Sequence, residues 1–404
     1  MTPPPPSTYQ SEVYTHGLRD QKPSITFIPS EWENLARSRL SANSFSYVHG
    51  SAGTGETDRK NRSAFEKWSV IPSRLVPSNN NNTFPDLSTT LFGKKYSSPI
   101  AIAPVGVQTI FHPDGELAVA RAAAKLDIPY TLSTATATST EDVATANGPN
   151  GKRWFQLYWP GNEHNDITIS LLDRAKRNGY DVLVVTLDTY ILGWRPTDMD
   201  NGYNPFLRGD SVGVKMGFTD EVFRKWFRER FGKEVEEDEG LAAGEWTKVV
   251  FPGGSHSWED LRFLKEHWEG PIVLKGVQSV RDARRAVEYG MHGIVVSNHG
   301  GRQMDGGVGS LTVLPGIVDA VGEQIEVLFD SGVRCGADVV KALALGAKMV
   351  LVGRPYVYGL AIAGEEGVRH VLRSLLGELQ LSLHLGGFRS VQREELNREC
   401  LIRE

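Results

Sequence analysis

The feature that most restricts this chain is a rhythm. Between residues 99 and 381, short apolar runs too brief for helices alternate eight times with helix-like stretches. The runs are Pro99 to Pro104, Tyr130 to Ser133, Trp154 to Tyr158, Val182 to Leu187, Ile272 to Lys275, Gly293 to Ser297, Ile325 to Asp330 and Met349 to Gly353. Asp114 to Leu126, Ile167 to Arg177, Val280 to Glu288 and Ala337 to Leu345 are among the helical stretches between them. Strands apolar on both faces are what a parallel sheet covered by helices requires. Eight such units close into a barrel without edge strands, whereas an open doubly wound sheet needs a topological switch. The predicted fold is an α/β (β/α)8 barrel, the TIM architecture, over residues 99–381.

The flanks have other textures. Residues 1–98 are expected to form an N-terminal arm and helical cap, and 382–404 a C-terminal tail. Residues 190–256 form a long insertion after the fourth strand, large enough for a lid. Residues 1–30 are proline-rich and weakly patterned, which predicts a surface wrap. Ser30 to Glu33 reads as an N-cap opening a helix to about Leu40, and Pro72 to Pro85 reads as loop.

Composition narrows the function. A net charge of -5 gives no general attraction to nucleic acid or anionic lipid, so any anion must be held locally. Two cysteines, Cys335 and Cys400, make no disulfide framework and fit a reducing compartment. No uncharged apolar run is long enough for a membrane span, and the start lacks the apolar core of a signal peptide. The end, Leu401 to Glu404, is not a Ser-Lys-Leu peroxisomal address. A cytoplasmic enzyme is expected, without nucleic-acid, membrane or metal partners.

In a barrel, residues just past each strand meet at one mouth. Here those are Pro104, Val105 and Gly106, then Ser133, Gln156, Tyr158, Thr186, Lys275, Ser297 to Arg302, Asp330 to Arg334, and Gly353-Arg354. The glycines and arginines after the seventh and eighth runs suit a phosphate, since backbone N–H groups approach closely there and guanidinium supplies charge. Lys275 is awkward to leave unpaired. His299 is a candidate base, Arg302 a carboxylate clamp, and Arg195 a second cation. One histidine among ten is more often structural, so the case rests on this company. Tyr47, in the aromatic stretch Phe45 to Gly55, reads by itself as packing. A barrel binding a phosphorylated substrate, such as a sugar-phosphate isomerase or a nucleotide dehydrogenase, satisfies the same loops.

Ser297-Asn298-His299-Gly300-Gly301-Arg302-Gln303 narrows the choice. With Phe155 to Tyr158, Thr186 to Thr189, Leu274 to Gly276 and Gly353 to Pro355, it resembles the FMN-dependent L-α-hydroxy acid oxidases and dehydrogenases from about residue 12 onward. Gly193 to Pro196 with Pro205 to Gly209, Phe329 to Gly332, and Ala103 to Val107 look most like the lactate 2-monooxygenases. The resemblance implies an FMN cofactor, a 2-hydroxy acid and O2 as partners, and a homo-oligomer of four or more subunits. It implies substrate contacts from Tyr47, Tyr158, Arg195 and Arg302, with His299 as base. Pro104, Val105, Gly106, Ser133, Gln156, Thr186, Lys275 and Ser297 would line the isoalloxazine and ribityl chain. Asp330, Ser331, Gly332, Arg334, Gly353 and Arg354 would hold the ribityl hydroxyls and phosphate.

The chemistry then follows. Oxidation by hydride transfer or through a carbanion needs a base beside Cα, and Asp188 would fix its tautomer. Lys275 would stabilise negative charge on reduced flavin. Gly106 is expected to leave room beside the flavin and the 190–256 insertion to shield the site. Together they favour decarboxylation of L-lactate to acetate over release of keto acid and peroxide.

Overall fold

A computed structural model describes residues 4–77, 84–207 and 212–404. Eight parallel strands form a closed barrel in chain order. They are β1 (Ile100–Ile102), β2 (Tyr130–Ser133), β3 (Arg153–Leu157), β4 (Val182–Thr186), β5 (Ile272–Val277), β6 (Gly293–Val296), β7 (Glu326–Phe329) and β8 (Met349–Val352). Closure is made where Val350 of β8 pairs with Ile100 of β1. All eight fall where the apolar runs placed them.

Alternation along the strands builds two cores. Ala101, Trp154, Val182, Val184, Val273, Val295, Leu328, Met349 and Leu351 belong to one buried cluster that fills the barrel. Leu183, Val185, Leu274, Ile294 and Phe329 belong to the cluster shared with the surrounding helices. Leu91 and Tyr96, from the hairpin Thr89–Leu91/Lys94–Tyr96, join the inner cluster. Tyr96 sets its ring edge-on to Trp154 at 6.0 Å. Side chains therefore fill the barrel, and chemistry is left to the strand ends.

The flanks are more ordered than their composition suggests. Thr8–Gly17 is a helix where a weakly patterned wrap was expected. Ser7 ties it down, donating from its hydroxyl and backbone N–H to Gln380 Oε1 at 2.8 and 3.0 Å. The next helix starts at Pro29, with Ile28 rather than Ser30 in the cap position. Proline is pre-shaped for a helix's first turn, where its missing N–H costs nothing. Residues 78–83 of the expected Pro72 to Pro85 loop lie outside the described residues, as do Arg208 and Gly209.

The insertion contains four α-helices among its described residues: Pro196–Asp200, Lys215–Phe218, Glu221–Phe231 and Glu239–Val250. Phe223, Phe227 and Trp246 give it a small buried core. Arg174, from the barrel helix Asn165–Arg177, fastens it. That buried guanidinium donates to Met216 O (3.1 Å), Thr219 Oγ1 (2.9 Å) and Asp220 Oδ2 (3.3 Å). At the end of the chain, Leu401–Arg403 pairs antiparallel with Trp68–Val70. No helix of the described residues is long and apolar enough to cross a membrane.

Candidate active site

The C-terminal ends of the strands open into one cavity. Its wall includes Tyr47, Tyr158, Arg195, His299, Arg302, Arg334, Gly353 and Arg354. Pro104, Val105, Gly106, Lys275, Asp330, Ser331 and Gly332 line it too. Ser133, Gln156 and Thr186 form a buried chain across the ends of β2, β3 and β4. Ser133 donates to Gln156 Oε1 (2.8 Å), and Gln156 Nε2 donates to Thr186 Oγ1 (3.0 Å). Of the residues expected at the mouth, Ser133, Gln156, Thr186 and Ser297 are buried at the strand ends and do not line the cavity.

His299 stands just past β6 in a left-handed backbone turn, with φ of 59° followed by 65° and 73° at Gly300 and Gly301. The glycines adopt such angles without steric cost; His299 does not. The turn is held from two sides. On one, Asn61 and Asn298 exchange amide hydrogen bonds at 2.7 and 2.8 Å, and Asn298 Oδ1 also accepts from Gly301 N at 3.0 Å. On the other, Ser331 Oγ accepts from Gly300 N at 3.0 Å.

The imidazole is fixed by its Nδ1, which donates to Asp188 Oδ1 at 2.8 Å. The Thr189 hydroxyl donates to the same carboxylate oxygen at 2.9 Å. This bonding leaves Nε2 to face the cavity as an acceptor. Burial lowers the His299 pKa, Asp188 opposes the shift and Lys275 and Arg195 reinforce it, so the ring is neutral at neutral pH. Burial works against the Asp188 charge, but His299 and Lys275 overcome it and hold the carboxyl at about 2. Gly276 makes room for this carboxylate: it sits in a bulge of β5 with φ of 105°, and a Cβ there would lie 3.1 Å from Asp188 Oδ2.

Two cations line the same cavity as His299. The Arg302 guanidinium lies 4.9 Å from the Tyr47 ring centre and that of Arg195 lies 5.9 Å away. Arg302 donates to Gly50 O at 2.7 Å, and Arg195 donates to Gln303 Oε1 at 2.7 Å. Burial and then Arg195 push the Arg302 pKa below the ordinary arginine value, which marks a place that favours an added anion. Lys275 is not unpaired: its ammonium donates to Ser297 Oγ at 3.1 Å and lies 3.4 Å from Asp330 Oδ2.

Two further arginines line the cavity, Arg334 and Arg354. Arg354 donates to Val48 O, Gly50 O and Gly300 O and lies 3.3 Å from Asp58. Among the described residues the Arg334 guanidinium finds only Val333 O, and no carboxylate within 4.0 Å. Burial and the nearby Arg354 lower its pKa. Two partly buried like charges, with Gly332 nearby in sequence at φ of 90°, suit the phosphate of a flavin nucleotide. The donor set therefore fits FMN, which requires an anion site at one end and a neutral-to-cationic ring site, here near Lys275, at the other.

Two expectations change. Gly106 does not open space beside the flavin, because a Cβ there would meet Ala135 O at 2.5 Å and Ala135 Cβ at 2.8 Å. The glycine serves the contact between the loops after β1 and β2. Ser331 borders the cavity, but its hydroxyl faces protein partners. The residues that sequence reasoning passed over are Asn61, Thr189 and Gln303. Gln303 Nε2 donates to Asp188 O and Ile191 O, tying the start of the insertion to the segment that follows the His299 turn.

A barrel whose mouth joins a buffered base to a flavin-phosphate cradle defines a flavin-dependent oxidoreductase, and comparison with known proteins agrees. The FMN-dependent dehydrogenase family matches residues 36–403, and the chain belongs to it. FMN is its cofactor. The chain is 62% identical to a Schizosaccharomyces pombe protein named FMN-dependent alpha-hydroxy acid dehydrogenase, covering 99% of this chain and 97% of that one. It is 42% identical to an L-lactate oxidase from Lysinibacillus sphaericus, over 90% of each chain. Mandelate oxidase with (S)-4-hydroxymandelic acid superposes with a TM-score of 0.77 at 38% identity, covering 90% of this chain and 96% of that one.

Proposed function

We propose that this enzyme oxidises an L-2-hydroxy acid at Cα to the 2-keto acid, with O2 as final electron acceptor. The observation that carries this reading is one cavity lined by Arg195, Arg302, Arg334 and Arg354 together with a neutral, carboxylate-oriented histidine. Arg195 and Arg302 hold the substrate carboxylate, while the Tyr47 and Tyr158 hydroxyls orient it and the 2-hydroxyl. His299 Nε2 takes the substrate proton, and Asp188 stabilises the imidazolium that forms. FMN, when bound, accepts the two electrons. Arg334, Arg354, Gly332 and Gly353 hold its phosphate, and Asp330 the ribityl chain. Lys275 stabilises the negative charge that reduction brings, with Pro104 to Gly106, Ser133, Gln156, Thr186 and Ser297 forming the surround.

Leu192, Phe206 and Phe251 make the remaining wall apolar, which suits a substrate side chain without charge. L-Lactate is the proposed substrate. A second reading, oxidative decarboxylation to acetate and carbon dioxide, is favoured by the described part of the insertion, in which Arg195 is buried and Tyr203 stands edge-on to Tyr47 at 6.5 Å. Such a cover would retain the keto acid until peroxide forms.

The protein is expected to purify yellow and to bleach anaerobically with L-lactate. His299→Gln should stay yellow and bleach about a hundredfold more slowly or worse. A colourless protein that takes up no FMN, or a His299→Gln variant that bleaches at the parent rate, overturns the reading. Product analysis under air separates the two outcomes: pyruvate with stoichiometric peroxide, or acetate with carbon dioxide.

A further inference from the structure

We propose that Ser331 is a positioning residue whose hydroxyl holds the His299 turn in its reactive shape, rather than a ligand of the cofactor. The inference rests on the reading of His299 as the base. Ser331 follows β7, and its φ of 83° lies where a side chain strains the backbone and glycine does not. Something must offset that strain, and the hydroxyl's partners identify it. Ser331 Oγ donates to Asp330 Oδ1 at 2.7 Å and accepts from Gly300 N at 3.0 Å and Asn298 N at 3.3 Å.

A hydroxyl has one proton to give and two lone pairs. All three are used within the protein, so none is left for a ribityl hydroxyl or a phosphate oxygen. The two N–H groups it binds bracket His299 itself. Both belong to a turn with three consecutive left-handed residues, His299, Gly300 and Gly301, a single 3-10 turn closed by the backbone bond from Gly301 N to Asn298 O at 3.0 Å. Asp330 carries the connection on, since its other oxygen lies 3.4 Å from Lys275 Nζ. One hydroxyl therefore couples the turn that carries the base to the cation expected at the flavin.

Ser331→Gly and Ser331→Ala test this together. Glycine removes the hydroxyl and relieves the strain, whereas alanine removes the hydroxyl and keeps it. Both variants should retain one FMN per chain and the parent's visible spectrum, and Ser331→Gly should melt no lower than the parent. In both, anaerobic flavin reduction should slow about tenfold or more at saturating substrate, with KM changed less than about threefold. The acid limb of the reduction rate should also move, because a loosened turn changes the distance between His299 and Asp188.

Loss of FMN with an unchanged reduction rate in the loaded fraction would make Ser331 a cofactor ligand and overturn the proposal. An unchanged rate and pH profile would overturn it as well. His299→Gln measured in parallel keeps the two readings apart. If that variant reduces flavin at the parent rate, the base assignment fails; if it is inactive while the Ser331 variants are unaffected, only the positioning role fails.

Discussion

At the scale of single residues, the proposed base His299 and its partner Asp188 carry the first prediction. Burial favours the neutral ring, so activity should fall only on the acid side, below the ordinary histidine value of 6.5. Asp188 is what keeps that pKa from falling further. Asp188→Asn should therefore shift the acid limb to lower pH and, by losing control of the tautomer, cut the reduction rate about a hundredfold or more. Stopped-flow reduction across pH 5 to 8 checks both. Stability carries the same signature. Asp188, at about 2 in the folded protein against 3.8 ordinarily, contributes stability above 3.8 that is lost as pH falls towards 2. The role of Gly276 suggests a companion experiment: Gly276→Ala should lower the rate with FMN still bound, because the added methyl pushes on Asp188.

At the scale of elements, the units that read clearly from sequence are those whose pattern is local. Each barrel strand is a short run buried on both faces, and its end residues are known once the strand is known. Tyr47 was legible only through the resemblance, because tertiary packing alone brings the helix Ala42–His49 to the mouth; Arg195 and Arg302 were already legible from their places after strand ends. Asn61 was not legible at all. A mid-helix asparagine gives no signal until its partner, Asn298, is seen across the turn. The space at Gly106 was misread because a missing side chain does not say what fills its place. The insertion supplies a prediction of its own. Arg174→Met would leave Asp220, which is fully buried, without its cation and should cost about 3–5 kcal/mol. Urea denaturation would measure the loss, and limited proteolysis should cut first between residues 190 and 256.

At the scale of the whole molecule, the two flanks close on each other as the barrel closes on itself. The strand Leu401–Arg403 completes a sheet begun at Trp68, and Leu396 and Leu401 are buried. Removing residues 396–404 should lower the melting temperature measurably, since each buried leucine contributes about 1.5–3 kcal/mol. No residue of the tail lines the cavity, so FMN content per folded chain should not change. Two of the arginines that line the cavity have a wider consequence. Arg334 and Arg354 repel each other inside the fold, and a dianion between them turns that repulsion into attraction. The flavin nucleotide is then a thermodynamic component of the folded state as well as a reagent. At a free concentration one hundred times its dissociation constant it would add about 2.7 kcal/mol to stability. The lifetime of this enzyme in a cell would accordingly track the local supply of its nucleotide, and starvation for flavin would thin its population before it slowed any single molecule.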